Sequence, residues 1–144
     1  MYNAVDVAKY IIWYCKEKGY SVSNLKLQKI LYFVQADFLV TVGSACFDDE
    51  IEAWDFGPVV PAVYHEFKIF GSSDIPRLVC RNAEERILKK DKALINEMID
   101  QCAKYSAAVL VEITHNQAPW SESYEKHCNN VIEKETIKRY FEKD

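Results

Sequence analysis

The amino-acid sequence predicts a mainly α fold: a compact helical domain with a small antiparallel two-stranded β element after the second helix. Three observations carry this expectation. Apolar residues recur at helical spacing through most of the chain. Glycine and proline number four each and fall between those runs. One short stretch alternates acidic with apolar residues. Of the 144 residues 49% are hydrophobic and 28% charged, a balance that suits a folded globular chain rather than a disordered one. The length fits one domain over residues 1–144. Surface scaling lets a chain of this size bury about two thirds of its surface, so its core needs no disulfide or metal.

The elements follow in order. Val5, Ala8, Ile12 and Cys15 make one stripe over residues 3–18, with Asn3 as N-cap, Asp6 at the positive end of the dipole and Gly19 as the left-handed stop. Ser23 opens a second helix, in which Leu27, Ile30, Leu31, Val34 and Phe38 repeat at helical spacing until Gly43. Lys26 and Lys29 fall on the other side and read as a solvated face. The two helices form an antiparallel hairpin. Residues 50–56 alternate with the period of a strand, and Gly57-Pro58 breaks it. Pro61 suits the first turn of a third helix, with Val63, Phe67 and Phe70 inward and Gly71 as its stop. Residues 77–81 read as a second short strand pairing with 51–55, and the mixed charges of 81–92 as a solvated face. Leu94, Ile95, Met98, Ile99 and Cys102 mark another helix. Ser106 caps one through Ala107, Leu110 and Ile113, and Pro119 opens a further helical stretch. Ile137, Tyr140 and Phe141 face inward from a last helix over 133–141.

The same residues bound the chemistry. Eighteen basic against 22 acidic side chains leave a net charge of −4, a poor balance for holding nucleic acid. The basic residues Lys26, Lys29 and those of 77–92 are the one route left to it. No apolar run approaches the about 20 residues of a membrane span, and the N-terminus lacks the basic leader of a signal peptide. Cys15, Cys46, Cys80, Cys102 and Cys128 are scattered without a CxxC pair, which reads as reduced thiols in a cytoplasmic protein. His65-Glu66 begins like a zinc-protease helix, but Ile69 stands where the second histidine belongs. His65, His115 and His127 have no ligand-like spacing, so no metal is expected. No phosphate-binding, dinucleotide or serine-nucleophile motif occurs, so neither a cofactor nor an enzyme is expected. An enzyme reading rests on His115 with Asp55 or Cys128 as helper, and requires those side chains to converge.

His115 closes a helix, where an imidazolium suits the negative end of the dipole. Trp54, Phe56, Tyr64 and Trp120 serve either as core or as anchors for a protein partner. A strand in so small a sheet has edges that can template a partner strand. These observations point to an interaction module.

Three blocks carry a family resemblance. Asn24-Leu25-Lys26-Leu27-Gln28-Lys29-Ile30-Leu31-Tyr32 resembles the signature helix of the Panacea domain family. The run from Glu52 to Tyr64, with Ala53-Trp54 and Gly57-Pro58-Val59-Val60-Pro61, resembles its second block. Thr114-His115 with Pro119-Trp120 resembles its third. The blocks fall in the family's order and spacing, and the resemblance covers roughly residues 3–125. The family includes phage-associated GepA-like proteins and SocA-type antitoxins. The resemblance implies an antitoxin that neutralises a cognate toxin by direct contact. For SocA-type members it also implies an adaptor that delivers the toxin to the ClpXP protease. The resemblance also implies that many relatives carry extra domains, some of them DNA-binding, for which this chain is expected to leave no room. On this resemblance the partner-binding residues are expected among Asn24, Lys26, Gln28, Lys29, Trp54, Asp55, Tyr64, His115 and Trp120, with Gly57 and Pro58 shaping the turn.

Overall fold

Helix α1, Ala4–Lys18, starts where the Asn3 side chain accepts a hydrogen bond from the Val5 N–H and stops where Gly19 takes a φ of 78°. The computed structural model describes residues 1–142. Helix α2, Asn24–Asp37, is capped by Ser23, whose hydroxyl accepts from the Lys26 N–H. It loosens into a π-helical turn over Phe38–Val42 and ends at Gly43. Helix α4, Lys89–Cys102, packs against both. Val7, Ile11, Leu27, Ile30, Leu31, Val34, Ile95 and Ile99 close the core between the three, each at most 1% exposed. Burying a side chain of this kind is worth about 1.5–3 kcal/mol. At the rim, tyrosine hydroxyls tie α4 down: Tyr10 donates to Asn96 at 2.7 Å, and Tyr14 and Tyr20 donate to Asp100 at 2.9 and 2.7 Å.

The β element has three strands where two were expected. Strands β1, Ile51–Trp54, β2, Gly57–Val59, and β3, Val131–Ile132, form an antiparallel sheet in the order β2-β1-β3. Glu52 pairs with Val59, Trp54 with Gly57, and Ile51 with Ile132. Gly57-Pro58 therefore opens the returning strand of a hairpin instead of ending the β structure. Proline is tolerated there because β2 is an edge strand. The strand expected over 77–81 is a 3-10 turn, Arg77–Cys80. Its apolar residues run consecutively, and Leu78 is 80% exposed, so no alternating face is available to lie on a sheet.

Helix α3, Pro61–Phe67, follows the hairpin directly, with proline in its first turn. Helix α5, Ala107–His115, is capped by Ser106, and α6, Ala118–Ser121, opens with Pro119 in its first turn. Helix α7, Lys134–Glu142, buries Ile137 and sets the Phe141 ring edge-on to Tyr32 and Phe33. Helix α2 is the hub, touching α1, α3, α4, α5, α7 and β2. Its outer side is not the solvated face expected: Lys29 is fully buried and Lys26 half-buried. Within 81–92, Ala83 and Ile87 turn inward among otherwise exposed or half-buried neighbours. Among the described residues no helix is long and apolar enough to cross a membrane.

Candidate functional site

The first half of α2 sets Asn24, Gln28 and Lys29 on the side that faces β2 and α3. The Asn24 amide donates to the Tyr64 carbonyl at 3.1 Å, and the Gln28 amide donates to Asn24 Oδ1 at 2.9 Å. Gln28 Oε1 accepts from the Val60 N–H at 2.9 Å, and Lys29 Nζ donates to the Pro58 carbonyl at 2.8 Å. All three residues are 3% exposed or less. Buried backbone groups need partners, and here helix side chains bond to edge strand β2 and the residue after it. Burial lowers the Lys29 ammonium from 10.5 to about 7. No carboxylate pairs with it among the described residues.

The close approach depends on Gly57. Its φ is 107°, and a Cβ there would lie 2.7 Å from Lys29 Cε and 2.9 Å from Thr114 Oγ1. Only glycine lets the hairpin sit against both α2 and α5.

The other end of the hairpin is held by α5, α6 and the segment after them. Trp120 Nε1 donates to the Trp54 carbonyl at 2.8 Å. His115 Nε2 lies 3.0 Å from the Asp55 carbonyl. A carbonyl only accepts, so this bond assigns the proton to Nε2. Tyr124 donates its hydroxyl to the Asp55 carboxylate. The His115, Trp120 and Tyr124 rings stack in a column, with centroids 4.0 and 4.6 Å apart. His115 does close α5, as the sequence suggested, and it also struts the hairpin turn.

Beside this clamped hairpin lies an open groove of about 610 Å³. Asn24, Gln28, Trp54, Asp55 and Tyr64, five of the nine expected partner-binding residues, line it. Trp54 and Tyr64 meet edge-on at 5.0 Å, and Phe56 stands at the hairpin turn, 66% exposed. Lys29, His115 and Trp120 lie outside the lining and support the hairpin instead. Lys26 sits elsewhere, beside Cys15 and Tyr20. The expected set leaves out Phe56, Lys68, His127 and Cys128, which also line the groove. The last two arrive there next to β3, a strand of two residues that has too few positions to show an alternating pattern.

The helpers proposed for an enzyme do not assemble around His115. Its Nε2 meets the Asp55 carbonyl, while the Asp55 carboxylate is taken by Tyr124. Cys128 lines a groove that His115 does not. Among the described residues no group of three His, Cys, Asp or Glu is placed to hold a metal ion. The five cysteines are free thiols, and Cys128 alone is exposed. Burial pushes Cys15, Cys46 and Cys102 up to about 12.

A rigid helical scaffold that clamps an aromatic hairpin beside an open groove has the form of a binding module. Comparison with known proteins gives the family. Residues 27–121 match the family described as Antitoxin SocA-like, Panacea domain. The chain is 34% identical over 112 residues to Antitoxin SocA of Caulobacter vibrioides (strain NA1000 / CB15N), an alignment that covers 69% of this chain and 58% of that relative. The chain thus spans less than two thirds of the relative's length. No solved structure matches it. The chain belongs to the SocA-like antitoxin family and carries its Panacea domain.

Proposed function

We propose that this protein is a cytoplasmic antitoxin that neutralises a cognate toxin by direct protein–protein binding, without catalysis, as one folded unit over residues 1–144. The observation that carries this reading is the exposed Phe56 on a hairpin clamped from both sides. Interface energy concentrates in a few aromatic and arginine anchors held rigidly. Trp54, Asp55 and Tyr64 extend the contact surface along the groove, with Asn24 and Gln28 at its floor. Lys29, His115 and Trp120 position the hairpin. The net charge of −4 favours rapid encounter with a basic toxin.

The test is co-expression with the product of the adjacent reading frame. The wild-type chain is expected to restore growth and to co-purify with that product. Phe56→Ala should weaken the complex about tenfold or more, the scale of a hot-spot truncation, with an unchanged melting temperature. Absence of both rescue and complex would overturn the reading. Toxin half-life, measured with and without active ClpXP, separates two routes to neutralisation. A stable toxin supports occlusion, and protease-dependent loss supports delivery.

A further inference from the structure

We infer that the groove receives the C-terminal end of a partner polypeptide, with its terminal carboxylate on the Asn24 and Gln28 amides and its last apolar side chain against Trp54 and Tyr64. This inference rests on the proposed binding role of the groove.

The argument starts from an imbalance of donors. A primary amide nitrogen carries two N–H groups. Asn24 spends one on the Tyr64 carbonyl, and Gln28 spends one on Asn24 Oδ1. The oxygens of both amides already accept a bond, from Gln28 and from the Val60 N–H. Both residues line the groove at 3% and 1% exposure, so each keeps one N–H in hand where water reaches poorly. A buried donor left unpaired costs about 1–3 kcal/mol, which a ligand with acceptor oxygens relieves.

Two further unpaired donors point the same way. Lys68 and His127 line the groove, and neither is paired in an ion pair or side-chain hydrogen bond among the described residues. Asp55, the one carboxylate of the lining, is engaged by the Tyr124 hydroxyl. An ionised carboxylate accepts only, and its hydrogen bonds are the stronger for its charge. A segment running through the groove would offer one neutral carbonyl oxygen per residue, each accompanied by an N–H. A chain end brings two acceptor oxygens and stops there. Capture of a terminal carboxylate by convergent N–H donors is a known mode of peptide recognition.

Cys128 supplies the readout, because it lines the groove while the other four cysteines are buried. The probe is an acetylated peptide of three alanines ending in phenylalanine, prepared as the free acid and as the amide. The free acid should shift the Asn24 and Gln28 side-chain amide resonances and slow alkylation of Cys128. The amide should bind about tenfold more weakly, the equivalent of one charge-assisted hydrogen bond. Lys68→Gln should weaken the free acid with the melting temperature unchanged. Equal binding of acid and amide, or binding of neither at millimolar concentration, overturns the inference. So does equal binding of an amidated peptide that carries an aspartate side chain. A toxin extended by a folded tag at its C-terminus separates the two readings. If it is still neutralised, the chain-end inference fails and the antitoxin reading stands. If the adjacent product is neither toxic nor bound while the peptide binds, the reverse holds.

Discussion

Helices α1 and α2 lie side by side and each buries most of one face, yet they hold different things. The buried set of α1 is apolar, apart from tyrosines whose hydroxyls reach Asn96 and Asp100 on α4. The buried set of α2 includes Asn24, Gln28, Lys29 and Gln35. Each of these meets backbone in the stretch from Cys46 to Tyr64. Gln35, for example, accepts from the Cys46 N–H at 2.8 Å and donates to the Phe47 carbonyl at 2.9 Å. Apolar burial has no direction, so it sets how strongly α1 packs. A buried hydrogen bond has a direction and a narrow range of distance, so α2 sets where the hairpin stands.

The largest expected effects test that division. Ile11→Ala on α1 should cost about 2–5 kcal/mol, the usual loss for a fully buried side chain cut back to alanine. Gly57→Ala should cost about 2–4 kcal/mol from a strained positive φ and a collision with Lys29 and Thr114. Denaturant unfolding measures both. The difference lies in the indole N–H resonance of Trp120, which reports its bond to the Trp54 carbonyl. Gly57→Ala should move it strongly, and Ile11→Ala should leave it in place. An equal shift in both variants would erase the distinction between the helices.

A smaller effect sharpens it. Gln28→Leu keeps the volume but leaves the Val60 N–H and the Asn24 side-chain oxygen without partners. The expected cost is about 1–3 kcal/mol. Hydrogen exchange at Val60 should accelerate while the amides of Ile95 and Ile99 on α4 stay protected. Uniform acceleration across all three sites would mean that Gln28 supports the whole core and not the hairpin in particular.

These residues also show what could be read in advance. Caps and stops were legible at Asn3, Gly19, Ser23 and Ser106, because each acts within a few residues of itself. The apolar stripes of α1, α2 and α4 were legible from their period. Lys29 was not, because a lysine on the far side of a helix reads as solvated until β2 is known to lie over it. The pairing of β1 with β2 was hidden by Gly57-Pro58, whose local meaning is a break. The groove was half legible. The family blocks pointed to Asn24, Gln28, Trp54, Asp55 and Tyr64, whereas His127 and Cys128 reach it only through the long-range pairing of β3 with β1.

The subtlest test turns on the buried amine of α2. In the unfolded chain Lys29 keeps its proton up to about 10.5, whereas in the fold it gives that proton up above about 7. Between those values the unfolded state binds more protons, so this residue makes stability rise with pH. The buried thiols work in the opposite sense. They are raised from 9.0 to about 12, so the unfolded state loses their protons first and stability falls above about pH 9. The clean window for Lys29 therefore lies between pH 7 and 9. Within it the contribution is on the order of 1 kcal/mol per pH unit. Lys29→Met should remove that slope, and urea unfolding at pH 7, 8 and 9 would show the gap between wild type and variant changing steadily. Ile11→Ala should instead displace the whole profile without changing its shape. If Lys29→Met does the same, the amine stays charged in the fold. The hairpin is then held by a buried cation on the Pro58 carbonyl, a stronger and more directional tether than a neutral amine.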